Sequence, residues 1–317
     1  MTSRVIFMGT PSISVPFLKS IINSGRNVVS VVTQTDKPKG RGHKLTPSPV
    51  KEFALLHGIP VLQPKKLSEP SFSEAIRAAE PDYLVVVAYG RIIPLEILQI
   101  PKKCPVNVHA SLLPEYRGAS PIQHAIMDGR RYTGVTTMLM SPELDAGDIL
   151  LQERIEIDRD DTAGSLGIKM AKTGADLLLR TLDGLDRGEI VPVPQHHESA
   201  TYVPIIRKDD GLIKWQDSAE NIYNRIRAFD PWPGAFTFYN GKRWGIWRAE
   251  ILGNSSPLSA PGEIIEAGPD GIVVKTGDMA LKITEIQAEG KRRMKAGEYL
   301  RGHAVETGVI LISGPAG

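Results

Sequence analysis

The sequence predicts an α/β domain on a Rossmann-like, doubly wound, mostly parallel sheet, followed by a small C-terminal β-barrel of OB-like type. Three observations predict it. Short apolar runs alternate with stretches of helical spacing through the first half, the pattern of repeated β-α-β units. The run Tyr83–Ala88 (YLVVVA) is apolar on both faces, as a central parallel strand is. From about Arg207 the pattern changes to short strands separated by turn signals.

Taken in order, Val5–Met8 (VIFM) is a buried strand closed by Gly9-Thr10-Pro11, and Ser14–Ile22 is a helix through Val15, Leu18, Ile21 and Ile22. The strand Val28–Thr33 leads into a basic, proline- and glycine-rich stretch. A helix from about Ser48 to His57 follows, with Pro49 in its first turn and Gly58 just past its end. Val106–His109 and Val135–Met140 are further strands, and a helix covers about Ser165–Gly184. Val191–Ala200 (VPVPQHHESA) reads as a linker or crossing connection. Beyond it, Ser218–Phe229 is a helix capped by Asp217 or Ser218. Five strands complete the chain: Ala235–Tyr239, Gly245–Glu250, Glu263–Ala267, Gly271–Thr276 and Ala280–Ile286. Asn240-Gly241 and Asp270-Gly271 mark hairpin turns. The expected division is a first domain over 1–189, a linker over 190–206 and the barrel over 207–317.

With 317 residues, 41% of them hydrophobic and 23% charged, the composition is that of a soluble globular protein of more than one core. A net charge of +2 is too mild to announce a nucleic acid by itself. The single cysteine excludes an internal disulfide framework and a Cys-rich zinc site, which points to a reducing compartment. No secretory leader pattern opens the chain, and no apolar run nears the ~18 residues of a membrane span. The expected location is the cytoplasm, without a membrane partner.

Ligands of doubly wound sheets bind at the carboxyl ends of the strands. Asn107 and His109 end a strand there, and residues two apart project to one face. An amide and an imidazole at one point can donate hydrogen bonds to an oxygen gaining charge, and the imidazole can move a proton. Asp145, in SPELDAGDIL, follows the Val135–Met140 strand and is placed to reach the same carboxyl edge, with Glu143 and Asp148 as competitors.

Several other readings are bland. No G-x-G-x-x-G follows the first strand, which disfavours a dinucleotide. Adjacent His196 and His197 do not share a face and read as linker rather than metal ligands. Cys104 reads as packing. Two basic clusters stand out. The first, over residues 34–51, holds Lys37, Lys39, Arg41, Lys44 and Lys51 in a loop long for its class. The second is Lys291-Arg292-Arg293-Met294-Lys295. Each alone is an ordinary solvated face; together they suggest a clamp for a phosphate backbone.

The stretch from Asn107 to Gly118 (NVHASLLPEYRG) resembles the signature of the formyltransferases that use 10-formyltetrahydrofolate, and Leu144–Asp148 (LDAGD) resembles that family's second motif. Similarity to the methionyl-tRNA formyltransferases extends over almost the whole chain, through the GTP turn after the first strand, the basic loop ending KLTPSPVK, and RAFDPWP at 227–233. Tyr116 stands where tryptophan is also common, and the tail after His303 matches no part of the pattern. The resemblance implies Asn107, His109 and Asp145 as a catalytic trio, and Ser111, Leu112, Leu113 and Pro114 lining the folate site. It also implies 10-formyltetrahydrofolate as cosubstrate without a metal, and initiator methionyl-tRNA as acceptor, bound by Lys37, Lys39, Arg41, Lys44, Lys291, Arg292 and Arg293, with the enzyme acting as a monomer. Two other functions stay open: formyl transfer to a small acceptor or to water, and non-catalytic RNA binding on a degenerate fold.

Overall fold

The computed structural model describes residues 2–39, 44–253 and 259–312. The chain divides into two units, the first formed by 1–121, 132–156 and 167–204, the second by 122–131, 157–166 and 205–317.

The first unit begins with β1 (Arg4–Gly9), buried from Val5 onward, then α1 (Val15–Asn23), whose Phe17, Leu18 and Ile21 face the core. β2 (Asn27–Val32) enters the basic stretch, which holds a short hairpin of β3 (Lys37–Lys39) and β4 (Lys44–Thr46). α2 (Pro49–Leu56) starts where predicted: the Ser48 hydroxyl accepts from the Lys51 amide at 3.1 Å. β5 (Val61–Leu62), α3 (Pro70–Ala78), β6 (Tyr83–Val87), α4 (Leu95–Leu98) and β7 (Cys104–His109) follow. After them come β8 (Arg117–Gly118), α5 (Pro121–Met127), which from Ile122 belongs to the second unit, β9 (Tyr132–Leu139), β10 (Ile149–Glu156) and α6 (Ala163–Arg187), which joins the first unit from Gly167 onward. The large sheet has the order β10-β9-β7-β6-β1-β2-β5. Strands from β7 to β5 run parallel, whereas β9 is antiparallel to both β7 and β10. The all-buried β6 lies between β1 and β7, as a strand apolar on both faces requires. Burial pushes the Cys104 thiol up to about 11, so it stays protonated at neutral pH and fits a packing role.

Residues 190–204, expected to be mostly linker, pack within this first unit. Val193 bridges Ile149 of β10, and β11 (Tyr202–Val203) pairs in parallel with β8.

In the second unit α7 (Ala219–Ala228) is capped by Ser218, which accepts from the Asn221 amide at 3.2 Å. The antiparallel sheet runs β12 (Ala235–Tyr239), β13 (Lys242–Leu252), β16 (Ala280–Ala288), β15 (Gly271–Lys275), β14 (Ile264–Gly268); β17 (Met294–Lys295) pairs with β16 and leads to α8 (Ala296–Leu300). The core holds Trp215, Trp244, Ile246, Ile264, Ile272, Leu281, Ile283 and Leu311. The tail that matched nothing in the family pattern closes this sheet. Ile310 bridges Glu263 beside β14, and Ile312 bridges Phe238 in β12, so the two edge strands are joined and a barrel results. The amides and carbonyls of Phe238 and Ile312 exchange two hydrogen bonds of 3.1 Å. Ending the chain at His303 opens both edges and removes buried Leu311. The expected result is a melting temperature lower by ~5 °C or more; a truncated protein that melts with the full chain would show that closure carries no stability.

Candidate active site

Strand alternation places Asn107 and His109 on one face of β7, with Asn107 opposite Val86 of β6 and Met138 of β9, and His109 opposite Thr136. Asn107 is half-buried and His109 is buried. The Nε2 of His109 lies 2.9 Å from the carbonyl oxygen of Tyr116. A carbonyl only accepts, so Nε2 carries a hydrogen, and Nδ1 is the atom of this ring left to take or give a proton. Nδ1 faces Asp145 Oδ2 at 3.6 Å. That is an ion-pair distance and too long for a direct hydrogen bond. The second Oδ2 contact is firm: the Gly118 amide donates to it at 2.9 Å.

Asp145 reaches this place by a route the sequence pattern does not give. The expectation was a loop leaving the same carboxyl edge as His109. Because β9 is antiparallel to β7, its carboxyl end pairs with Val106 rather than with His109. The hairpin loop between β9 and β10 therefore folds back toward His109. Two features hold it there. Gly147 lies so close to the backbone that any Cβ would collide with the Leu139 carbonyl, so only glycine fits. Asp145 itself adopts φ +48°, a conformation an aspartate tolerates better than most residues. Of the three acidic residues in this loop, Asp145 sets its carboxylate against the His109 imidazole; Glu143 and Asp148 line a neighbouring cleft.

That cleft, about 440 Å³, is bounded by Leu139, Met140, Pro142, Glu143, Ala146, Gly147, Asp148 and His197. Apolar side chains with backbone amides and carbonyls between them suit a flat heterocycle with polar edges.

Ser111, Leu112, Leu113 and Pro114 form a turn packed against the sheet, and none of them is among the residues bounding that cleft. The fully buried Ser111 hydroxyl donates to the Glu115 carbonyl at 2.6 Å. The Thr136 hydroxyl donates to the Ser111 carbonyl at 2.7 Å and accepts from the Leu113 amide at 3.2 Å. Gln152 donates to the Leu113 carbonyl at 2.9 Å. The Tyr116 amide donates to Thr201 Oγ1 at 2.7 Å, which sets the carbonyl that holds His109. Sequence reading assigned no part to Thr136, Gln152, Thr201, Gln195 or Arg117. For Thr136, a polar residue at an inward strand position was the available signal; Gln152 lies on the exposed side of β10 and offered none.

The basic residues separate into two settings. Lys37 is exposed at the start of the β3–β4 hairpin, and Lys39 pairs across it with Lys44. Arg41 lies outside the described residues. Asp36, the acid of this stretch, is taken by Lys51 at 2.7 Å. In the second unit Lys291 and Arg292 are exposed, while Arg293 is committed within the fold. Its guanidinium grips Glu285 through two bonds of 2.7 and 2.8 Å, holds Asp230 at 3.3 Å, and stacks 4.9 Å from the Trp247 ring.

Comparison with known proteins adds the chemistry. A formyl transferase family model matches residues 3–182, and a formyl transferase C-terminal domain model matches residues 205–304. A methionyl-tRNA formyltransferase of Geobacillus thermodenitrificans is 50% identical over 301 residues, covering 95% of this chain and 94% of its own. Another, from Pelotomaculum thermopropionicum, is 46% identical over 308 residues, 97% of this chain and 98% of its own. Among solved structures, HypX from Aquifex aeolicus in complex with tetrahydrofolic acid superposes with a TM-score of 0.65 at 20% identity. This chain spans 98% of itself but 51% of that one. WlaRD, a sugar 3N-formyl transferase, gives a TM-score of 0.65 at 19% identity, covering 92% of this chain and 100% of its own. At those identities the structures share the fold.

Proposed function

The chain belongs to the formyl transferase family, in the group of the methionyl-tRNA formyltransferases, and from that premise we propose how its residues work. It transfers the formyl group of 10-formyltetrahydrofolate to the amino group of methionine on initiator methionyl-tRNA, the step that prepares this tRNA for translation initiation. The observation that carries the mechanism is the His109–Asp145 pair beside Asn107.

In our reading the methionine amine attacks the formyl carbon, forming a C–N bond and pushing the carbonyl electrons onto oxygen. The Asn107 amide and the protonated Nδ1 of His109 donate to that oxyanion, each worth ~3 kcal/mol in the transition state. Asp145 balances the imidazolium charge. As the oxyanion collapses, the bond from the formyl carbon to the folate nitrogen breaks, and the amine proton passes to that nitrogen through Asp145 and His109. The 3.6 Å between those two is too short for a water to stand between them, and a closing shift of about half an ångström brings them to direct hydrogen-bond distance. The cleft beside Asp145 would take the folate ring. Ser111 to Pro114 would hold the turn that fixes its neighbour His109, which is how they serve the folate site.

For the acceptor, Lys37, Lys39, Arg41 and Lys44 are proposed to grip the phosphate backbone of the tRNA, with Lys291 and Arg292, in the turn between β16 and β17, as a second contact and Arg293 anchoring the end of that turn. No helix among the described residues is long and apolar enough to cross a membrane.

The test is a comparison of acceptors. With 10-formyltetrahydrofolate as donor, the expected product is formylmethionyl-tRNA, with transfer to an amino sugar nucleotide, free methionine or water slower by orders of magnitude. Comparable transfer to the sugar would overturn the assignment of acceptor; no transfer to any acceptor would overturn the enzyme.

A further inference from the structure

Gln195 lies in the VPVPQHHESA segment, and its side chain is buried at 5% exposure. Its Nε2 donates two hydrogen bonds into the loop that carries Asp145, to the Asp145 carbonyl at 2.9 Å and to the Gly147 carbonyl at 2.7 Å. Its Oε1 accepts two from Arg117, at 3.2 Å from Nε and 2.7 Å from Nη2. Nitrogen and oxygen cannot be exchanged here, since a flipped amide would set donors against a guanidinium and an acceptor against two carbonyls.

Arg117 is buried as well, at 1% exposure, and is fixed from three sides. Besides Gln195, its Nη1 donates to the Tyr202 hydroxyl at 3.1 Å and its Nη2 lies 3.3 Å from His197 Nδ1. The residue after it, Gly118, supplies the amide that holds the Asp145 carboxylate. Asp145 is thus held at both ends. Gly118 fixes the side chain, and Gln195 fixes the backbone, on a residue whose φ of +48° has little intrinsic preference to keep it.

We infer that Gln195 is a positioning residue for formyl transfer: it ties the Asp145 loop to buried Arg117 and so sets the carboxylate against His109. This rests on the reading of Asp145 given above. A carboxylate that must meet an imidazole at 3.6 Å is sensitive to small displacements, and a misplacement near 1 Å costs ~10²-fold in rate. The same two bonds shape the wall of the cleft at Gly147.

The test is a double-mutant cycle. Gln195→Glu keeps size and the acceptor for Arg117 but turns a lone pair toward two carbonyls. Gln195→Met keeps size and removes both functions without repulsion, and carries the test if the glutamate variant does not fold. Each is expected to lower kcat by ~10- to 100-fold, with the KM for methionyl-tRNA within ~2-fold of the parent because no tRNA-gripping residue is touched. In an Asp145→Asn background the same substitution is expected to cost little further, because the group it positions is already disabled. Equal losses in both backgrounds would overturn the inference and leave the role of Asp145 standing. Wild-type kcat in the folded Gln195 variants would overturn it too. Wild-type kcat in Asp145→Asn alone would overturn the underlying reading, and the inference with it.

Discussion

Replacing His109 with alanine is expected to lower kcat for formyl transfer by ~10²- to 10⁴-fold. The loss has two parts. Nδ1 is the proton-handling atom of this ring, because Nε2 is bound to the Tyr116 carbonyl. Without the ring, the oxyanion loses a donor and Asp145 loses the imidazole it faces. Binding should suffer less, since the cleft beside Asp145 is bounded by the 139–148 loop and His197 rather than by His109. The expected pattern is a fall in kcat with a small change in the KM for formyl-folate. The measurement needs a melting curve alongside it, because His109 is buried and truncation leaves a cavity. Near wild-type turnover by a folded His109→Ala protein would remove the histidine from the chemistry.

The second large effect is expected on the acceptor. Neutralising Lys39, Arg41 and Lys44 together should raise the KM for methionyl-tRNA and leave transfer at saturating tRNA nearly intact. Each lost phosphate contact releases fewer counterions, so the log–log dependence of kcat/KM on salt should become shallower by about 2 to 3 for three contacts. Lys39 and Lys44 are paired in the register of the β3–β4 hairpin, so both belong to one short element. Asp36 does not cancel their charge, being held by Lys51 and Gln63. Unchanged tRNA kinetics and salt dependence in the triple variant would return the hairpin to ordinary solvated surface.

What was legible in the sequence follows from which physics is local. β1 announced itself as a short buried run and β6 as a run apolar on both faces, α2 by Pro49 in its first turn and Gly58 past its end, and α7 by a cap at Asp217 or Ser218. Asn107 and His109 were legible because strand alternation fixes their common face without knowledge of any partner. Strand direction is not local. Nothing in Tyr132–Leu139 says that it runs antiparallel to β7, and this reverses the route by which Asp145 arrives. The exposed alternation of β10 marks it as an edge, yet its pairing belongs to the hairpin.

Long-range hydrogen bonding was the least legible. Gln195 sits between prolines and histidines in a segment that reads as solvated, and it becomes informative only when Arg117 and the Asp145 loop are seen around it. Arg293 shows the converse. Within a basic run it reads as a free cation, but the pairing of Met294 with Ile286 brings it beside Glu285, which binds it. The Arg293 guanidinium in turn holds the Glu285 carboxyl below its usual range. The barrel-closing tail has the same character. Ile310 and Ile312 are too short a run to read as a strand, and they become one only between two waiting edges.

The central claim is that Asn107, His109 and Asp145 carry formyl transfer to methionyl-tRNA. The most direct measurement is a single turnover from formyl-labelled 10-formyltetrahydrofolate to methionyl-tRNA, with the parent protein and with Asn107→Ala, His109→Ala and Asp145→Asn. The expected result is label in formylmethionine with the parent, and transfer slower by ~10²-fold or more in each folded variant. Label transferred at the parent rate by the three variants, or no label in methionine with the parent, would contradict it.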